Sequence, residues 1–320
     1  MTDFLLLERL HMMIKEIPKP RLMSRKGISA RGFFRPYMPF SDYTMSSIFS
    51  SINEITPVTV RFASAIGELG TADTMRNIKS MGVKFKTGEK DYDMMCSSMP
   101  VQLINDKDKL LDLFECFHVR RYFDGINKNV FWKFVTENPE ALNCAVRLFS
   151  YHGVSDSFIY INWYSVNSAV WHNDKGDKWL VRYKWQPVYE SEYQPAMRIN
   201  RRSRSYAEFA AGFDPDIALN EIESNISKKK FPTFELYIQT MRLDEDVDSA
   251  YLDGTLTWDE KLFPYTSVGI MMLDEACDNK ASENDITFVL GNETEGISLY
   301  RTELTDIVDY MCRMERMERG

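Results

Sequence analysis

The sequence predicts an α+β fold: an antiparallel β-barrel with helices packed against it. Three observations carry that. Strand-like runs come in two blocks separated by a helical stretch, and a helix follows the last block. Long hairpins connect the strands, whereas a parallel sheet needs a helix between successive strands. No internal repeat and no low-complexity linker interrupts the 320 residues, so one domain over 1–320 is expected.

The elements follow in order. "MTDFLLLERLHMMIKEIP" is an amphipathic helix ended by Pro18 and Pro20; it carries acids early and lacks a small-residue cleavage site, unlike a signal peptide. Strand-like runs come next at 57–62 and 82–86, and then "SMPVQLI" at 98–104. Residues 107–120 and 128–150 have helical periodicity, with Leu110, Leu111, Phe114 and Phe117 on one face of the first. "FIYINWYSVNSAVWHNDKGDKWLVRYKWQP" alternates aromatic and β-branched residues around the turn NDKGD, a hairpin signal. Residues 206–228 are predicted helical. "FPTFELYIQTMRL" and "TSVGIMMLDE" are predicted strands. From Ile297 to Arg319 a last helix is expected, with Leu304, Ile307, Val308 and Met311 sharing a face.

Composition excludes several classes. A net charge of −8 argues against nucleic acid as the main partner, and RRSR (201–204) and KKK (228–230) are expected to be solvated loops. No run of about 18 apolar residues exists, so no membrane span is expected. The five cysteines (96, 116, 144, 277, 312) are scattered with no CxxC pair, which fits reduced thiols in a cytoplasmic setting and argues against a zinc site. The histidines (11, 118, 152, 172) form no HExxH. Eighteen methionines suggest an adaptable core.

One residue breaks the pattern. In "VTVRFASAIGELGTADTMRNIKSMGVKF" (58–85), Arg61 interrupts what otherwise reads as a buried strand. An unpaired charge there is costly. Glu68, Asp73 or the carboxylates of a ligand could each answer it.

That stretch resembles the catalase family, where it surrounds an arginine that holds a haem propionate. "YDMMCSSMPVQLIND", "RLFSYHGVSDSFIYINWYSVNSAVWHNDKGDKWLVRYKW", "KKKFPTFELYIQTMRLDE" and "FPYTSVGIMMLDE" resemble later family segments in the same order. "IPKPRLMSRKGISARGFF" resembles the segment carrying the distal histidine. The likeness is collinear from about residue 5 to 315 and is similar to short catalase-related proteins without the extra C-terminal domain. It implies haem b, a small-molecule substrate and a homo-oligomer. It also implies that Arg61 and Arg21 face the propionates, and that Met23, Leu110, Leu304 and Val308 pack around the macrocycle.

The departures from the family matter as much. The resemblance places Ser24 where the family has its distal histidine, Ser97 and Ser98 where it has an asparagine pair, Met99 at its threonine, and Ala63 at its serine. A hydroxyl cannot accept and hold the proton that peroxide dismutation moves. Counting without gaps puts Cys312 at the axial tyrosine and Val308 at its supporting arginine. A gap would instead bring Tyr310 to iron, with Asp306 one turn before it; the two residues lie about 200° apart on a helix. A thiolate ligand would push electron density onto iron. The resemblance therefore implies a haem enzyme for an organic hydroperoxide or a specialised metabolite, similar to organic-hydroperoxide peroxidases and allene oxide synthases. The alternatives are a degenerate haem-binding sensor or scaffold, and a weak residual catalase or peroxidase.

Overall fold

A computed structural model describes residues 4–16, 21, 23–67, 69–88, 90–117, 128–165, 167–189, 203–244, 247–277 and 286–319. Its centre is a closed ring of eight antiparallel strands. These are β1 (Gly27–Pro36), β2 (Thr56–Ser64), β3 (Lys79–Phe85), β4 (Tyr92–Ser97), β5 (Trp163–Tyr164), β7 (Lys178–Pro187), β8 (Thr233–Arg242) and β9 (Thr266–Ala276). Neighbours run β7-β5-β4-β3-β2-β1-β9-β8, and β8 pairs back onto β7 to close the ring. β6 (Ala169–His172) continues the edge begun by β5, and β10 (Ile297–Leu299) pairs onto β6.

Alternation decides what lies inside. On β2, Val58, Val60 and Phe62 point into the barrel core; on β3, Met81, Val83 and Phe85 do; on β4, Tyr92, Met94 and Cys96 do. The intervening residues, Arg61 and Ala63, Ser80 and Gly82, Asp93 and Met95, therefore face outward, where helices cover them. α1 (Phe4–Glu16), α2 (Leu110–Phe117), α3 (Lys128–Glu137), α4 (Leu142–Phe149) and α7 (Glu303–Arg319) make a second apolar cluster there, containing Leu10, Phe131, Leu148, Leu304 and Ile307. α5 (Arg204–Phe213) and α6 (Ile217–Ser227) complete the helices among the described residues.

Two predicted helices are divided, and two others are altered at their starts. The 128–150 run breaks at Pro139 into α3, a 3₁₀ turn and α4, because proline removes the N–H that would continue the ladder. Pro215 likewise splits 206–228 into α5 and α6. The last helix starts at Glu303, since Ile297–Leu299 is strand β10. Within 107–120 a 3₁₀ turn (Lys107–Lys109) precedes α2, and 118–120, with His118, lie outside the described residues. "SMPVQLI" is not a strand: β4 ends at Ser97, and Ser98 turns its hydroxyl to accept the Lys79 N–H at 3.0 Å.

Strand β1 was not anticipated. Its alternation is broken by a register shift between Arg31 and Gly32, where the β9 backbone comes so close that a Cβ on Gly32 would meet the Met272 carbonyl oxygen at 1.9 Å.

A partly buried ionic cluster ties barrel to helices. Lys26 Nζ lies 3.0 Å from Asp73 and 2.6 Å from Asp216. Asp73 Oδ2 accepts the N–H groups of Ala218 and Leu219, capping α6. Lys79, fully enclosed beside them, donates to Ser64 Oγ and to the Asp73 carbonyl, and burial pushes its amine down to about 8.

Candidate active site

Between the outward face of β2–β4 and helices α2 and α7 lies a cavity of about 290 Å³. Arg61, Ser80, Gly82 and Met95 form its barrel wall. Leu110, Leu113 and Phe114 come from α2. Val308, Met311, Cys312 and Glu315 come from α7, at the spacing that puts them on one face. Arg21, Met23 and Ser24 close one side, and Thr287 and Phe288 another.

Arg61 is 4% exposed, and its strand neighbours explain how it fits. Ser29 on β1 and Gly82 on β3 stand opposite it, both small. The side chain runs against Gly27, where a Cβ would meet the guanidinium carbon at 2.8 Å. It then donates to the carbonyls of Ser24 (2.9 Å) and Arg25 (3.2 Å). Asp73, one candidate partner, is engaged by Lys26; Glu68 lies outside the described residues. Arg21 donates to the Ile286 carbonyl, pinning the 286–288 segment over the cavity. Phe288 lies across Gly82, its ring carbons 2.8–2.9 Å from where a Cβ would stand.

Ser24 adopts a left-handed backbone, φ 59°, held by its N–H to the Ala65 carbonyl at 2.9 Å. Its Oγ lies 2.7 Å from Ser80 Oγ, and Ser80 reaches the Ala63 carbonyl at 3.4 Å. With Ser80 donating to that carbonyl, Ser24 donates to Ser80, and the lone pairs of Ser24 face the cavity. Among the described residues no histidine lines the cavity, and its one carboxylate, Glu315, stands on the α7 wall.

Four sequence-predicted residues do not line it. Ser97 accepts the Met99 N–H at 3.0 Å and Ser98 accepts that of Lys79, so both hydroxyls serve the turn after β4. Leu304 is buried in the helical core one turn before Val308. Tyr310 is on α7 but off the face formed by 308, 311, 312 and 315, as the 100° step per residue requires. Cys312 lies on that face. Burial, with Glu315, Asp309 and Asp93 nearby, pushes its thiol up to about 12, against the opposing effect of the Leu290 N–H. Ser80, Gly82, Cys96 and Phe288 were missed. The period-2 pattern of "KSMGVKF" would have placed Ser80 and Gly82 outward beside Arg61.

The outward arginine and the thiol-bearing helix share one largely apolar cavity, the arrangement of a protein that binds an apolar ligand carrying negative charge. The catalase family model matches residues 1–304, and the chain belongs to the catalase family. It is 29% identical to Catalase-2 of Bacillus subtilis (strain 168) over 93% of this chain and 43% of that protein. It is 30% identical to the catalase of Methanosarcina barkeri over 93% and 58%. A crystal structure of a fungal catalase superposes with a TM-score of 0.85 at 25% identity, covering 99% of this chain and 63% of that one. The chain thus spans roughly half the length of the curated relatives it matches. No helix among the described residues is long and apolar enough to cross a membrane.

Catalases are haem enzymes, and the donor set here fits that cofactor. Two guanidiniums border one apolar cavity, and the Cys312 thiol on α7 shares it, beside the Met311 thioether. Arginine stays charged in such surroundings and suits carboxylates.

Proposed function

We propose that this chain is a haem enzyme acting on an organic hydroperoxide rather than dismutating hydrogen peroxide. One observation supports this most: at the position of the distal base stands Ser24, bonded to Ser80 at 2.7 Å, with no nitrogen base lining the cavity among the described residues. Arg61 and Arg21 would hold the propionates. Met23, Leu110 and Val308 would pack on the macrocycle, and Cys312, rather than Tyr310, would ligate iron. Haem supplies the redox chemistry at the O–O bond when bound.

The chain's own residues then do limited work. The Ser24 lone pairs accept a hydrogen bond from a hydroperoxide O–H and orient it; they do not hold its proton at neutral pH. Leu113, Phe114 and Phe288 exclude water and offer the apolar surface that an organic group needs. Glu315, on the opposite wall, is the one carboxylate lining the cavity among the described residues. Burial and the nearby Glu315 and Asp309 keep the proton on the Cys312 sulfur, so ligation would have to displace it.

A second reading, a haem-binding protein without turnover, is favoured by Ser97 and Ser98, whose hydroxyls, at the turn after β4, accept hydrogen bonds from backbone N–H groups. Haem titration followed by cumene hydroperoxide and hydrogen peroxide assays separates the two. Turnover of cumene hydroperoxide that drops in Ser24→Ala supports the enzyme. Haem binding with neither activity supports the second reading, and oxygen evolution at ordinary catalase rates overturns both. Family membership leads us to expect a homo-oligomer, which light scattering reads directly.

A further inference from the structure

The cavity is lined with sulfur: Met23, Met81, Met95 and Met311 all border it. Thioethers beside a peroxide-driven centre become sulfoxides, which disrupt apolar packing. The barrel core also holds a row of oxidisable rings, a candidate outlet for oxidising equivalents.

The outlet begins at Cys96, which lines the cavity and also belongs to the barrel core. Tyr92 lies on the same strand and the same face. Its hydroxyl donates to that of Tyr183 at 3.3 Å, and Trp171 Nε1 donates to the Tyr183 oxygen at 2.6 Å. Trp171, fully buried, stands directly opposite Trp179 across the β6–β7 ladder, on the same face of the sheet. Trp179 packs on Tyr43 at 5.1 Å between ring centres, and both are half-buried. Phe49 and Phe40 pack on Trp171 at 4.6 and 6.5 Å between ring centres, and the indoles of Trp163 and Trp185 belong to the same core.

We propose that Tyr183, Trp171 and Trp179 form a conduit that carries oxidising equivalents from the haem cavity to the protein surface. The proposal rests on the haem reading above. One electron leaves the Trp171 indole and is taken up by a haem centre that an organic hydroperoxide has oxidised. No bond breaks in the protein, and the indole keeps its N–H proton as a radical cation. The hydrogen bond to the Tyr183 oxygen stabilises that positive charge. An electron from Trp179 then refills Trp171, and a one-electron donor in solution, such as ascorbate, refills Trp179.

The test uses the full chain reconstituted with haem b and pulsed with cumene hydroperoxide without added donor. Rapid-freeze electron paramagnetic resonance and peptide mass spectrometry are the readouts. The expected result is an indole-type radical in the wild type. It should be lost in Trp171→Phe, with at least about threefold more sulfoxide at the four cavity methionines. Tyr183→Phe, which keeps the ring and removes the acceptor, should lower the radical yield even if Trp171→Phe fails to fold. Trp179→Phe should leave the radical stranded on Trp171. Identical radicals and identical sulfoxide patterns in wild type and variants overturn the conduit while leaving haem binding intact. Absence of any Soret band on haem addition overturns both together.

Discussion

Replacing Arg61 by methionine tests the centre of the site. The substitution keeps the length of the aliphatic stem and removes the guanidinium. Two carbonyls, those of Ser24 and Arg25, lose a charged donor at 2.9 and 3.2 Å. Hydrogen bonds to charged groups contribute about 1.5–3 kcal/mol each, and relief of burying the charge offsets part of that. A net loss of about 2–4 kcal/mol follows, or roughly 3–6 °C in the melting temperature of a 320-residue chain. The left-handed Ser24 turn should loosen with it, because Arg61 grips its carbonyl. Apo-protein melting gives the stability effect, and haem titration gives the propionate role; Arg61→Lys should recover little of either, since an ammonium lacks the forked donors. Apo Arg61→Met melting within about 1 °C of the wild type and binding haem with equal affinity would refute the assignment.

Ser24→His is expected to be tolerated at φ 59°, since histidine is enriched among residues in that region, and to raise oxygen release from hydrogen peroxide by about 10²-fold; no gain in an oxygen-electrode assay would mean that Ser24 is not at the distal position. Cys312→Ser should remove the red-shifted Soret band of the ferrous carbonyl form, whereas Tyr310→Phe should leave it, and the reverse pattern reassigns the ligand. Lys79 has its amine lowered to about 8 from 10.5, so between those values the unfolded chain binds more protons and folding gains with rising pH. Buried thiols with raised values, such as Cys144, act oppositely, so the readout is the wild type minus Lys79→Met in denaturant melts; that difference should grow by about 2 kcal/mol from pH 7 to 9.5, and a flat difference would contradict the burial effect.

The barrel was legible because its hairpins keep a strict two-residue period, as in "VTVRF" and "DKWLVRYKW". What hid was wherever a local signal competed with that period. The bulge beside Gly32 concealed β1, and apolar periodicity running through Pro139 and Pro215 made divided helices look continuous. Arg21, Arg61, Met23, Leu110, Val308 and Cys312 line one cavity. The Ser24–Ser80 pair could not be read directly, because its members are 56 residues apart and meet only through strand register. Ser97 and Ser98 looked like site residues from type and position alone, and only their hydrogen bonds show them serving a turn.

Closure of the ring sets the order in which this chain can mature. β1 completes its pairing only when β9 arrives, as Ala30 faces Ala276. At ordinary translation rates about 10–50 s separate the two on the ribosome. During that interval β1–β4 form an open sheet with a bare edge and an uncovered apolar face, the condition that invites pairing with another nascent chain. Yield during expression should therefore depend on slow growth temperature and holdase supply more than on final stability. Truncation ahead of residue 266, which removes the closing strand, should give aggregates rather than a smaller barrel.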